Sequence, residues 1–155
     1  MPLARSGVGV GMKSGVPKPA IGNSAQMKAA LEKAKSITYA REGASRPFVE
    51  KMLATMGIAQ QASAKTVLAA GSGAATESVA NGSVDIVLTL ISEIVGVKGV
   101  DLVGPLPKEH QDYIRFSGAL APKAPAKAKA ALAILTSGDS AAVYKSKGME
   151  SSTSR

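Results

Sequence analysis

Apolar positions along the chain fall into short blocks whose spacing switches between a period of two and a helical period. "SGVGVGMK" (6–13) alternates valine with glycine, which predicts a thin strand. "SGVPKPAIG" (14–22) is a loop punctuated by Gly15, Pro17, Pro19 and Gly22. Asn23 or Ser24 suits the cap of a helix whose apolar stripe is Met27, Ala30, Leu31 and Ala34. "KSITYA" (35–40) reads as a strand and "REGAS" (41–45) as a polar loop. Pro47 fits the first turn of a second helix, with Val49, Met52, Leu53 and Met56 on its buried side and Gly57 at its end. "KTVLAA" (65–70) is a strand, and a helix follows from about Ala74 to Ala80, closed by Asn81-Gly82. "SVDIVLTLI" (83–91) is nearly all apolar, as a strand covered on both faces must be. "ISEIVGVKG" gives a helical turn and a loop, and "VDLVGPLP" (100–107) and "DYIRFSGAL" (112–120) two more strands. The spacing then predicts a helix over 123–138 after Pro125, and a last one through Tyr144, capped by Ser137 or Asp139 and stopped by Gly148. "MESSTSR" (149–155) reads as a disordered tail.

Strands alternating with helices specify an α/β protein with a mainly parallel sheet flanked by helices. Composition then limits the core. Of 155 residues, 45% are hydrophobic but only 3% aromatic, with no Trp, so the core is built from Ala, Val, Ile, Leu and Met. Cys is absent, which excludes disulfides, thiolate metal sites and a Cys nucleophile. The single His, His110, sits in the polar "PKEHQDY" and argues against a zinc site or a His-based triad. The eleven carboxylates form no evident acid–base or metal-binding pattern, and Ser92-Glu93 reads as a cap. No enzyme, cofactor or metal is therefore expected.

Nineteen basic residues against eleven acidic give a net charge of +8, but the lysines are spread along the chain, as on a solvated surface. "APKAPAKAKAA" (121–131), with Lys123, Lys127 and Lys129, is the best nucleic-acid candidate, yet no aromatic residue interleaves for stacking. No apolar run approaches the ~20 residues of a membrane span. The amino terminus lacks the apolar core of a signal peptide, so the chain as it stands is expected in the cytoplasm.

In open α/β sheets, ligands sit beyond the carboxyl ends of strands. Two strand-to-helix junctions here look alike: "YAREGASR" (39–46) and "AGSGA" (70–74). Each sets a serine, Ser45 or Ser72, at a helix start, where free N–H groups attract anions. Each also reads as an ordinary cap. Neither is a phosphate-binding P-loop, because the Lys-Ser/Thr ending is missing. "GVGVGMKSG" has the wrong spacing for a dinucleotide loop.

"AKSITYAREGAS…FVEKMLATMGI…AKTVLAAGSGAATESVANGSVDIVLTLISEIVGVKGVDLVGPLP" resembles the second lobe of a type II periplasmic solute-binding protein, closest to the molybdate-binding proteins of ABC importers. "LARSGVGVGMKSGVPKP" resembles the strand entering that lobe, and "ALAILTSGDSAAVYKSKGME" the family's C-terminal ending. The resemblance implies an incomplete two-lobed fold. Residues 1–22 would be a strand and hinge-like entry segment and 23–107 the second lobe. Residues 108–148 would be a return segment and helices of a first lobe whose earlier half is missing, with 149–155 the tail. It implies a periplasmic protein that binds a small anion such as molybdate and hands it to an ABC permease. Ligand contacts would fall at Ser45 with the Arg46 N–H, at Ser72 with the Gly73 N–H, and near Thr89 and Leu90. Leu90 stands where molybdate-binding proteins can carry a Tyr, and Arg41 and Arg46 would favour a carboxylate or phosphate-like anion. Exposed apolar surface is expected on the unfinished lobe. The alternatives are a cytoplasmic self-associating module, as a homodimer, and a weak nucleic-acid binder through the lysine helix.

Overall fold

The computed structural model describes residues 1–152. Strand β1 (Pro2–Lys13) is followed by α1 (Ser24–Lys33), β2 (Ile37–Ala40), α2 (Arg46–Thr55) and α3 (Ala59–Ser63). Then come β3 (Thr66–Ala69), α4 (Ser72–Ala80), β4 (Ile86–Leu90), α5 (Ile91–Ile94) and β5 (Val100–Pro105). The chain ends with β6 (Tyr113–Ser117), α6 (Ala126–Thr136), α7 (Ser140–Ser146) and β7 (Glu150–Ser151). The strands make one sheet in the order β3-β2-β4-β1-β5, with β6 and β7 also paired to β1.

The α/β class holds, and the expected parallel pairing is refined. Strand β2 runs parallel to β3 and β4, but β1 is antiparallel to β4, β5, β6 and β7. One reversed strand sits at the middle of an otherwise co-directional sheet. Its twelve residues are long enough to serve two neighbourhoods: residues 8–13 pair with β4 and β5, and residues 2–7 with β6 and β7. Where β5 gives way to β6, the Gln111 side chain fills the ladder. Its Oε1 accepts from the Val8 N–H at 2.9 Å and its Nε2 donates to the Val8 carbonyl at 2.8 Å.

The valine–glycine alternation of β1 now has a packing reason. Val8 and Val10 enter a buried cluster with Met27 and Leu31 of α1, Val49, Met52 and Leu53 of α2, and Ile86, Leu88 and Leu90 of β4. The glycines face the other way, where α5 and β5 press close. A Cβ on Gly9 would lie 2.7 Å from Ile91 Cγ1, and one on Gly11 would lie 2.8 Å from Val87 Cγ1. A second cluster fills that opposite face, with Ala75 and Val79 of α4, Val87, Ile94 and Val100. Strand β4 is buried at all five positions, as its apolar run predicts.

Asn23 caps α1 by accepting from the Gln26 N–H at 2.9 Å. The far end of that helix is held by Lys65, whose ammonium donates to the carbonyls of Leu31, Glu32 and Ala34 at 2.6, 2.9 and 2.7 Å. A cation there meets the negative end of the helix dipole. Helix α2 carries Pro47 in its first turn, and Gly57 after it takes φ +72°, a left-handed C-terminal stop.

The strand expected at 112–120 forms over Tyr113–Ser117 as β6 and pairs with β1. Glu150 and Ser151, expected in a disordered tail, form β7 on Arg5 and Ala4 because the first half of β1 still has an open edge to template them. Arg5 also bonds Glu150 through Nη2 at 2.6 Å. Residues 153–155 of that tail lie outside the described residues. Apolar surface is left uncovered here: Ile134 is 65% exposed and Val143 60%, and neither α6 nor α7 has a buried residue. Asp139 stands at the N-cap position of α7 without a side-chain capping bond, and the Ser137 hydroxyl donates to the Ile134 carbonyl at 2.8 Å.

Candidate functional site

The three parallel strands end side by side, at Ala40, Ala69 and Leu90. Beyond these ends lies a cavity of about 310 Å³, lined by Glu42, Ser45, Ser72, Thr89, Leu90 and Glu93 among others. Sequence reasoning nominated six residues for this place. Ser45, Ser72, Thr89 and Leu90 line the cavity together. They come from three separate junctions, after β2, β3 and β4, so only the parallel sheet brings them within reach of one ligand.

Ser45 is 3% exposed and sits at the N-cap of α2, but its hydroxyl makes no capping bond and has no partner among the described residues. Helix α4 begins at Ser72, two residues earlier than expected, so Ser72 is its first helical residue and Gly71 its cap. The Ser72 hydroxyl is likewise without a partner. The first intrahelical bond is Ala75 N–H to the Gly71 carbonyl at 3.0 Å, which leaves the N–H groups of Ser72 and Gly73 free of backbone acceptors. Gly73 is not among the residues lining the cavity, and what it presents is its N–H at the helix start.

Arg46 corrects the expectation twice. Its N–H, expected as a ligand donor, closes a turn onto the Gly43 carbonyl at 3.1 Å. Its guanidinium turns back along the surface, donating to Glu50 Oε1 at 2.7 Å and to the Arg41 carbonyl at 2.5 Å. The hydrogen bond to Glu50 raises its pKa above the ordinary arginine value. Spacing of i to i+4 on α2 explains this choice. Pro47 has no N–H, so the start of α2 offers its serine hydroxyl rather than backbone donors.

Glu93 is the residue that sequence reasoning set aside as a cap. It lines the cavity and accepts a short hydrogen bond from the hydroxyl of Thr89, itself 1% exposed. Among the described residues the lining contains two carboxylates, Glu42 and Glu93, and no lysine or arginine. Behind the site, burial pushes the Tyr39 phenol above its ordinary pKa, with Glu50 adding to the shift and Arg46 opposing it. His110 lies elsewhere: its Nε2 is 2.7 Å from the Ser24 hydroxyl, and Glu109 accepts from the Ser24 N–H at 2.8 Å. That backbone hydrogen bonding, with the bond at Glu109 itself the largest cause, holds the Glu109 carboxyl below its ordinary range. Among the described residues no cluster of His, Cys, Asp or Glu could hold a metal ion, and no helix is long and apolar enough to cross a membrane.

The profile of the bacterial extracellular solute-binding proteins matches residues 1–150. The chain belongs to this family. Its relatives include an aconitate isomerase from a Pseudomonas species, 31% identical over 96% of this chain and 57% of that protein. The fold is that of the substrate-binding domain described as belonging to a molybdenum ABC transporter from Clostridium difficile. There the TM-score is 0.73 at 18% identity, over 97% of this chain and 65% of that one. The periplasmic molybdate-binding protein of Azotobacter vinelandii gives 0.62 at 16% identity, over 96% and 66%. The solute-binding chain therefore spans about three-fifths to two-thirds of the length of these relatives.

Proposed function

We propose that this solute-binding protein holds a small anion in the cleft beyond β2, β3 and β4. One observation carries the reading. Among the described residues the hydroxyls of Ser45 and Ser72 have no partner, both residues line the cavity, and α4 starts there with N–H groups free of backbone acceptors. No fully buried side-chain polar atom among the described residues lacks a partner, so these donors open onto the cleft, where a ligand acceptor can replace water. An anion supplies several at once, and the helix start adds a favourable partial charge. Recognition then rests on dipoles, in keeping with a lining that contains no basic side chain.

In this role the chain is a carrier without catalysis, working outside the cytoplasm and delivering its ligand to an ABC permease. Oxyanions such as molybdate and small carboxylates are the ligand classes to test, since molybdate is named for one structural neighbour and aconitate for the curated relative. Thermal-shift titration with molybdate, tungstate, sulfate, phosphate and aconitate tests the reading, because a ligand that binds only the native state raises its melting temperature. Stabilisation by at least one of them, reduced about tenfold in affinity by Ser72→Ala, is expected from losing one hydrogen bond to a charged group. No stabilisation by any member of the panel contradicts it.

A second reading is favoured by the 31% identity to an aconitate isomerase and by the Glu93 carboxylate in the cleft, a group able to accept a proton. Interconversion of aconitate isomers, followed by NMR with the purified chain, separates the two. Turnover abolished by Glu93→Gln supports an isomerase, and binding without turnover supports the carrier.

A further inference from the structure

We infer that Glu93 is the specificity-determining residue of this cleft, and that the ligand is a small anion carrying an O–H of its own, such as hydrogen phosphate or a hydroxycarboxylate. This rests on the anion-binding reading given above and narrows it. A carboxylate in an anion site is otherwise a contradiction. It repels negative charge and offers only acceptor lone pairs.

The geometry resolves the contradiction. Thr89, 1% exposed at the end of β4, gives its hydroxyl hydrogen to Glu93 Oε2. That bond spends the only side-chain donor of Thr89 and fixes the carboxylate against the strand end. Glu93 Oε1 has no hydrogen-bond or ion-pair partner among the described residues. Among the described residues no lysine or arginine lines the cavity to neutralise it. The cleft is thus divided. Ser45, Ser72 and the α4 N–H groups offer donors, while Glu93 Oε1 and the Thr89 oxygen accept.

A ligand that satisfies both sides must accept on one face and donate on the other. Sulfate and molybdate carry no proton at neutral pH, so each would leave Glu93 unpaired and face its charge. Hydrogen phosphate always retains at least one O–H, and a hydroxycarboxylate carries an alcohol O–H beside its carboxylates. A site built to bond a ligand hydroxyl rejects the analogue that lacks it, because its own polar group is left stranded.

Two matched pairs test the inference on the intact chain by calorimetric titration: phosphate against sulfate, and malate against succinate. The second pair differs by one hydroxyl at equal charge. The donor-bearing member of at least one pair is expected to bind about tenfold tighter or better, the scale of one hydrogen bond to a charged group. Glu93→Gln keeps the volume and the acceptor for Thr89 but replaces the free oxygen by an amide donor. It is expected to bring that ratio close to one and to raise affinity for sulfate and molybdate, with circular dichroism and melting temperature reporting that the variant folds. If in neither pair the donor-bearing member binds the native chain more tightly than its partner, or if Glu93→Gln leaves the ratios unchanged, Glu93 does not select the ligand, while the anion site stands. If no anion binds either folded protein, the anion-binding reading itself fails and this inference falls with it.

Discussion

Helices α1 and α6 are of similar length and both rich in alanine and leucine, yet they end in opposite situations. Helix α1 buries Met27, Ala30 and Leu31 against β1, β2 and β4. Helix α6 buries nothing, and its Ile134 and Leu135 stand 65% and 44% exposed. The difference lies in what surrounds each helix, since an apolar stripe states a need for burial but not that the surface to meet it is present. Residues 8–106 contain the buried residues of both clusters, whereas β6, α6, α7 and β7 hang from the first half of β1.

The largest expected effect separates the two regions directly. Leu31→Ala removes a fully buried side chain and should cost about 3 kcal/mol, whereas Leu135→Ala should stay within about 0.5 kcal/mol. Chemical denaturation of both variants measures this, and equal losses would erase the contrast. A smaller effect is expected where the regions join. Gln111→Ala strips the Val8 N–H of its partner and leaves the Val8 carbonyl only the Leu106 N–H, at a cost of about 1–3 kcal/mol. Faster hydrogen exchange at Val8 should accompany it, and a variant as stable as the parent would show that water replaces the amide at no cost.

How much of this was legible in the sequence depends on whether a feature is local. The strand at 6–13, the stripe of α2 and the stop at Gly57 were readable because period, proline and glycine act within a few residues. The direction of β1 was not, because no local signal says which strands flank it. Helix α3, "AQQAS", escaped because five residues show no period, and β7 escaped because its order comes from the edge of β1, more than a hundred residues away. At the site, serines before helices were sufficient to nominate Ser45 and Ser72. Arg46 was misjudged although the signal was present: Glu50 stands four residues on. Glu93 was missed because "SE" after a strand reads as a cap, and its role depends on Thr89 lying across the β4–α5 corner.

The smallest expected effect compares the surface ion pairs of the two regions. In the larger unit, hydrogen bonds from Lys18 and then Ser14 lower the pKa of Asp101. A folded-state value below the unfolded one stabilises above the unfolded pKa, and that contribution fades as pH falls through the folded value. Asp101→Asn should therefore lower the melting temperature slightly near neutral pH and leave it unchanged once both states are protonated. A pH series of melting curves checks this, and a loss that persists in acid would assign the effect to packing instead. Arg5 and Glu150, the matching tie in the C-terminal region, are both half-exposed, so Glu150→Gln should change stability by less than about 1 kcal/mol.

If the ends of β2, β3 and β4 form the anion site and the lysine-bearing α6 does not, an amide-resolved NMR titration with inorganic phosphate will give saturable shifts concentrated at the N–H groups of Ser72 and Gly73 and near Ser45 and Glu93, with Lys127 and Lys129 unmoved. Shifts centred on α6, or weak shifts spread over all lysines without saturation, would contradict it.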